Sequence, residues 1–217
     1  MKKTSKIFLL TGLVVLLTAS VITALALTSH IKVQDGKLIL SLTSDNVLFY
    51  DDFNGVSLAS PWLVEDTGSQ ITAYYPLTPS PGHFMVSTRV SSSQLAAFAL
   101  RLHCGPTPIL SSKTGIQLEM NSGVMHNGFV ASGTSPSDWT WNTITGPANV
   151  NTWYILEMVV QQSPFSVTYN VYDDNNWLIG TYSRTDFSIT YQSIDYICLK
   201  LWNGPASYSI DWIKVTS

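Results

Sequence analysis

The 217 residues carry eleven Lys and Arg against fourteen Asp and Glu, a net charge of −3, and 12% of them are charged while 45% are hydrophobic. Nucleic-acid binding needs clustered cations, and this sparse, slightly acidic balance rules against it. Lys2, Lys3 and Lys6 precede the first apolar run; the rest of the chain holds eight basic and fourteen acidic residues, or −6. Ser, Thr, Asn and Gly take the polar role instead, as on the surfaces of many exported β proteins.

Residues 7–27 form a continuous apolar run broken only by Thr, Ser and Gly. With the basic residues before it and Ala24-Leu25-Ala26 at its end, it reads as a cleaved export signal. It is also just long enough to be a retained membrane anchor, with the N-terminus cytoplasmic and the domain outside. Either way the expected location is extracellular or at the cell surface. Residues 28–46 follow as an arm. Two short apolar runs flank Asp35-Gly36, a strong hairpin signal. The alternative is an extended arm that adds to a neighbouring subunit's sheet, giving self-association.

Residues 47–217 make one domain. VLFYDDFNG opens it, and short runs rich in β-branched and aromatic residues recur to the end, separated by turn residues. That spacing predicts an all-β, antiparallel two-sheet sandwich. Alternation assigns the core faces. Phe98, Leu100, Leu102 and Cys104 share one face; so do Tyr154, Leu156, Met158 and Val160; so do Phe165, Val167, Tyr169 and Val171; and so do Ile116, Leu118 and Met120. Ile197, Leu199 and Leu201 face the core, so Cys198 points away with Tyr196 and Lys200. The two cysteines, Cys104 and Cys198, are therefore expected as buried thiols rather than a disulfide. In the last strand Ile210 and Ile213 both want the core, which predicts a bulge near Asp211-Trp212. Residues 134–149 read as a polar loop carrying Trp139 and Trp141.

The run VNTWYILEMVV, then FSVTYNVYDDNNWLIGTYS, then IDYICLKLWNGPASYSIDWIKV resembles the C-terminal half of a concanavalin A-like, laminin-G-like jelly roll. LFYDDFNG resembles the opening strand of such domains. The resemblance spans about residues 47–215. It implies two curved sheets, the last strand lying beside the first, and a concave face open to ligand. Many members bind or process glycans, but a shared fold does not by itself fix function.

Hydrolysis of a glycosidic bond needs two flanking carboxylates. The glucanase branch of the superfamily carries them as alternating acids, Glu-x-Asp-x-x-Glu or close to it, and this sequence has no such run. Glu119 and Glu157 are single acids on separate strands, both directed away from the core. No Gly-x-Ser-x-Gly elbow or phosphate loop is present. His83, His103 and His126 lack the spacing of metal ligands. Ca²⁺ is the best metal candidate, on Asp51, Asp52 and Asp211, if the first and last strands of the domain are neighbours. The plain alternative is that Asp51 or Asp52 caps a turn and Asp211 accepts hydrogen bonds at the bulge. Asp173 to Asn176 is explained by a solvated hairpin turn.

A sugar's apolar face stacks on an indole while amides and acids take its hydroxyls. Trp139 and Trp141 are the candidate platforms, with Arg101, Gln117 and Glu119 as polar partners; a lid over one end of the core is the competing role for the two tryptophans. Trp62, Trp153, Trp177, Trp202 and Trp212 are expected to be structural. The expectation is an exported, non-catalytic sandwich binding a glycan or another surface ligand. The alternatives are a membrane-anchored or filament-forming subunit, and a glycan hydrolase or lyase with an atypical site around Glu119.

Overall fold

The computed structural model describes residues 31–34, 37–40, 47–53, 61–67, 70–77, 83–93, 97–105, 114–130, 140–189, 194–202 and 208–217. The apolar run 7–27 and Trp139 lie outside the described residues. Contacts divide the chain into Met1–Asn46 and Val47–Ser217. In the first unit β1 (Ile31–Gln34) pairs antiparallel with β2 (Lys37–Leu40), and the register leaves two residues between them. The arm's strands thus pair with each other.

The second unit is the expected antiparallel sandwich. Its strands are β3 (Val47–Asp51), β4 (Leu63–Asp66), β5 (Gln70–Pro76), β6 (Phe84–Ser92), β7 (Ala97–Cys104), β8 (Gly115–Asn121), β9 (Val124–Val130), β10 (Thr140–Thr145), β11 (Trp153–Gln161), β12 (Ser166–Asp173), β13 (Leu178–Arg184), β14 (Ile194–Trp202) and β15 (Tyr208–Thr216). One sheet has seven strands in the order β10-β9-β8-β7-β14-β5-β4; the other has six, in the order β13-β12-β11-β6-β15-β3. The last strand pairs with the first of the unit, Ile213 opposite Asp51.

The alternation in β11 and β12 turns one side of each strand inward: Tyr154, Leu156, Met158, Val160, Val167, Tyr169 and Val171 are all buried. They meet Phe98, Leu100, Leu102, Ile116, Leu118, Met120 and Ile197 of the other sheet in one continuous core. Each such side chain contributes about 1.5–3 kcal/mol of burial. Both cysteines are free and buried, Cys104 in the core and Cys198 on the opposite face of its sheet. The bulge falls where the pattern puts it, between Ile210 and Trp212.

Two side-chain clusters link the edges of the two sheets. On one side Phe49 of β3 stacks on Tyr75 of β5, with Trp62 edge-on to both. On the other, Arg184 of β13 reaches Asn127 Oδ1 of β9 and the Thr140 carbonyl of β10. A tight turn at Ser122-Gly123, both at positive φ, joins β8 to β9 and sets their register, Asn121 opposite Val124.

Candidate functional site

The face of the seven-stranded sheet turned away from the core collects most of the polar residues singled out above. Cross-strand pairing puts Trp141, Gly128, Gln117, Arg101 and Cys198 in one row, from β10 to β14. The adjacent row is Thr143, His126, Glu119, Ala99, Lys200, Thr72 and Glu65. Residues 140–145, expected within a loop, form an edge strand, and Trp141 therefore stands on the sheet itself. The reason is register: the Ser122-Gly123 hairpin leaves β9 with a free side, and β10 pairs along it with a bulge between Thr143 and Thr145.

Exposure falls from both edges of this face toward its middle. Trp141 is 39% exposed and Leu63, at the far edge, 50%. His126 and Glu65 are half-buried. Arg101, Gln117, Glu119, His103, Cys198 and Thr72 are buried. Arg101, Gln117 and Glu119 are thus not surface groups, although their phase points them away from the core as expected.

Glu119 sits at the centre. Gln117 Nε2 donates to one of its oxygens at 2.6 Å and Asn121 Nδ2 to the other at 2.7 Å. Burial pushes its carboxyl up to about 7, against the pull of those two N–H donors and of Lys200. Arg101 donates to the Thr114 carbonyl and lies 3.3 Å from His103 Nδ1. Burial drives the Cys198 thiol up to about 12, which leaves it unreactive. Lys200 stands over the Trp202 ring at 5.5 Å. His126, whose pKa burial lowers, lies edge-on to Trp141 with ring centres 6.3 Å apart.

Trp141 is laid against the sheet. A Cβ placed on Gly128 would sit 2.5 Å from both Cε3 and Cζ3 of the indole and 3.1 Å from Cδ2. An edge-on ring would hold Cδ2 much farther away than the other two atoms. The face of the indole therefore covers Gly128, and the residue as a whole is 39% exposed.

No family model and no curated protein matches the sequence. Solved structures do share its fold. A laminarinase from Rhodothermus marinus superposes with a TM-score of 0.57 at 11% identity, over 81% of this chain and 98% of the enzyme. The carbohydrate-binding module CBM66 from Bacillus subtilis matches with a TM-score of 0.49 at 16% identity, over 72% of this chain and 91% of the module. A sialidase gives 0.48 at 16% identity over 74% of this chain, which spans 16% of that longer protein. The fold is the concanavalin A-like jelly roll.

Within this jelly roll two of the three aspartates proposed for calcium, Asp51 and Asp211, accept hydrogen bonds from N–H donors. Asp51 accepts from the Phe53 amide and from Trp62 Nε1, at 2.8 and 2.9 Å. Asp211, beside the bulge, takes Arg89 Nη1 at 2.5 Å, while Asp174 takes the other guanidinium nitrogen. Asp52 is exposed. The first and last strands are neighbours as the calcium idea requires. Even so, no group of three or more His, Cys, Asp or Glu able to hold a metal occurs among the described residues. His126, Gly128 and Lys200 were not among the sequence candidates for ligand binding. The signal that reaches His126 and Gly128 is the Ser122-Gly123 turn, because it fixes which β9 residues face Gln117 and Glu119.

Proposed function

We propose that this protein is an exported jelly roll that binds carbohydrate without cleaving it. The observation that carries the reading is the Trp141 indole, which stands on the edge strand β10, lies flat over Gly128 of β9, is 39% exposed, and is bordered by Thr143 and His126 of the adjacent row. Indole face and hydrogen-bonding groups side by side are the chemistry a sugar ring requires. Carbohydrate is the ligand class in the names of the laminarinase and CBM66, though at 11–16% identity only the fold is shared. Export rests on the apolar run 7–27.

The absence of cleavage is argued from spacing. Glu119 is flanked along its strand by two amides, Gln117 and Asn121, which cannot titrate. Among the described residues, the other carboxylate on this face is Glu65, four strands away, or roughly 19 Å at the usual strand spacing. Paired-acid hydrolysis works at about 5–9.5 Å. Retention on immobilised polysaccharides, across a broad panel, tests the reading. The wild type is expected to be retarded on at least one polysaccharide and Trp141→Ala to run free; a wild type retarded on none would end it.

One observation favours a second reading. A carboxyl with its pKa near 7 is what a general acid needs. If the site cleaves glycans, reducing ends accumulate on incubation and Glu119→Gln abolishes their release. No release across the same panel sets hydrolysis aside.

A further inference from the structure

We infer that Gly128 is the positioning residue of a stacking subsite on β9 and β10, and that this subsite takes a neutral sugar ring lying flat on the sheet. The inference rests on the carbohydrate-binding reading and deepens it.

Gly128 lies in the middle of a paired strand, where glycine weakens the strand and fills no space. Its φ is not in the left-handed region and no turn requires it there. What it supplies is room. Any side chain would bring a Cβ to 2.5 Å from two indole carbons, a separation real atoms do not adopt. With a side chain at this position the indole must lift or swing away and loses its seat on the sheet.

The groups around the platform set the ligand class. Thr143 is two residues along the same strand, His126 is edge-on beside the ring, and Gln117 is the next residue inward across Gly128. Burial lowers the His126 pKa and so favours the uncharged imidazole. Among the described residues the platform is therefore bordered by the Thr143 hydroxyl and the His126 imidazole, with the buried Gln117 amide behind Gly128 and the Glu119 carboxylate one row further in. Among those residues the border offers hydrogen-bonding groups to ring hydroxyls and no cation to a uronate.

The test is a double-variant cycle on the full-length chain, with binding measured by calorimetry. The probes are the neutral polysaccharide that the wild type retains and a uronic-acid polysaccharide of similar length. Gly128→Ala should weaken binding of the neutral probe about tenfold, the scale of one aromatic contact, and Trp141→Ala by a similar factor. The double variant should bind no worse than Trp141→Ala alone, because glycine acts only through the ring. Near-UV circular dichroism and the unfolding midpoint show whether Gly128→Ala has kept its fold. If it has not, Gly128→Ser, alone and combined with Trp141→Ala, takes its place in the cycle. A folded Gly128→Ala that binds like the wild type, losses that simply multiply in the double variant, or preference for the uronate would each overturn the inference. A wild type that binds no glycan at all would instead remove the functional reading beneath it.

Discussion

Glu119 is a carboxyl buried within the sheet face. It is 2% exposed, yet Gln117 and Asn121 each donate an N–H to it, which favours the ionised form. Burial wins, and the folded pKa rises to about 7 from 4.5. The unfolded chain ionises this group first, so between about pH 4.5 and 7 the native state holds more protons. Stability therefore falls as pH rises through that window, by at most about 3 kcal/mol from this one group. His126 works the other way: its lowered pKa makes the native state gain stability as pH rises through the ordinary histidine range. Comparing proteins separates the two. Urea unfolding at pH 5 and pH 8 should show a decline in the wild type that is smaller in Glu119→Gln. An equal decline in both would mean that Glu119 titrates normally. The amide variant does not recover the whole cost, since its own NH₂ group must then face that of Gln117 or Asn121.

At the scale of strands, one side chain ties the edge of one sheet to the edge of the other. Arg184 is 4% exposed. It donates to Asn127 Oδ1, the Thr140 carbonyl and Asp186, and lies 4.8 Å over the Phe129 ring. Asn127 is fully buried, so losing its partner leaves an unsatisfied oxygen in the interior. Arg184→Ala should cost about 3 kcal/mol in denaturant unfolding. Arg184→Lys should recover little of it, because an ammonium cannot reach all three acceptors as a planar fork does. A loss under about 1 kcal/mol would show that the two edges hold without it. Alternation in the sequence predicts the inward faces of β7, β8, β11 and β12, down to the opposite phases of Cys104 and Cys198. It could not foresee that every residue of β7, Arg101 and His103 among them, is buried on both faces. A period of two says which side chains share a face and nothing about what covers it. Register was the other gap. Trp141 could be picked as an indole among polar residues, but its seat on Gly128 needs the pairing of β9 with β10, which a polar segment does not announce.

Over the whole molecule, charge is sparse and spent locally. Ion pairs join Arg89 to Asp174 and Asp211, and Arg184 to Asp186. The Arg89 pairs lie on the six-stranded sheet, while Arg184 reaches β9 and β10 through Asn127 and the Thr140 carbonyl. The net charge of −3 repels anionic polymers weakly and gives no field to attract them. Association with a neutral glycan should then be governed by stacking and hydrogen bonding, which salt barely screens. Between about 50 and 500 mM salt the Debye length shrinks several-fold, yet affinity for the retained polysaccharide should change less than about twofold. A ligand held by charge behaves otherwise, since each neutralised anionic group adds to the logarithmic slope against salt. Calorimetric titrations at low and high sodium chloride decide the matter. A tenfold loss of affinity on raising the salt would point to an acidic ligand held by Lys200 and Arg101, deep in the face, and would move the site inward from the edge strand.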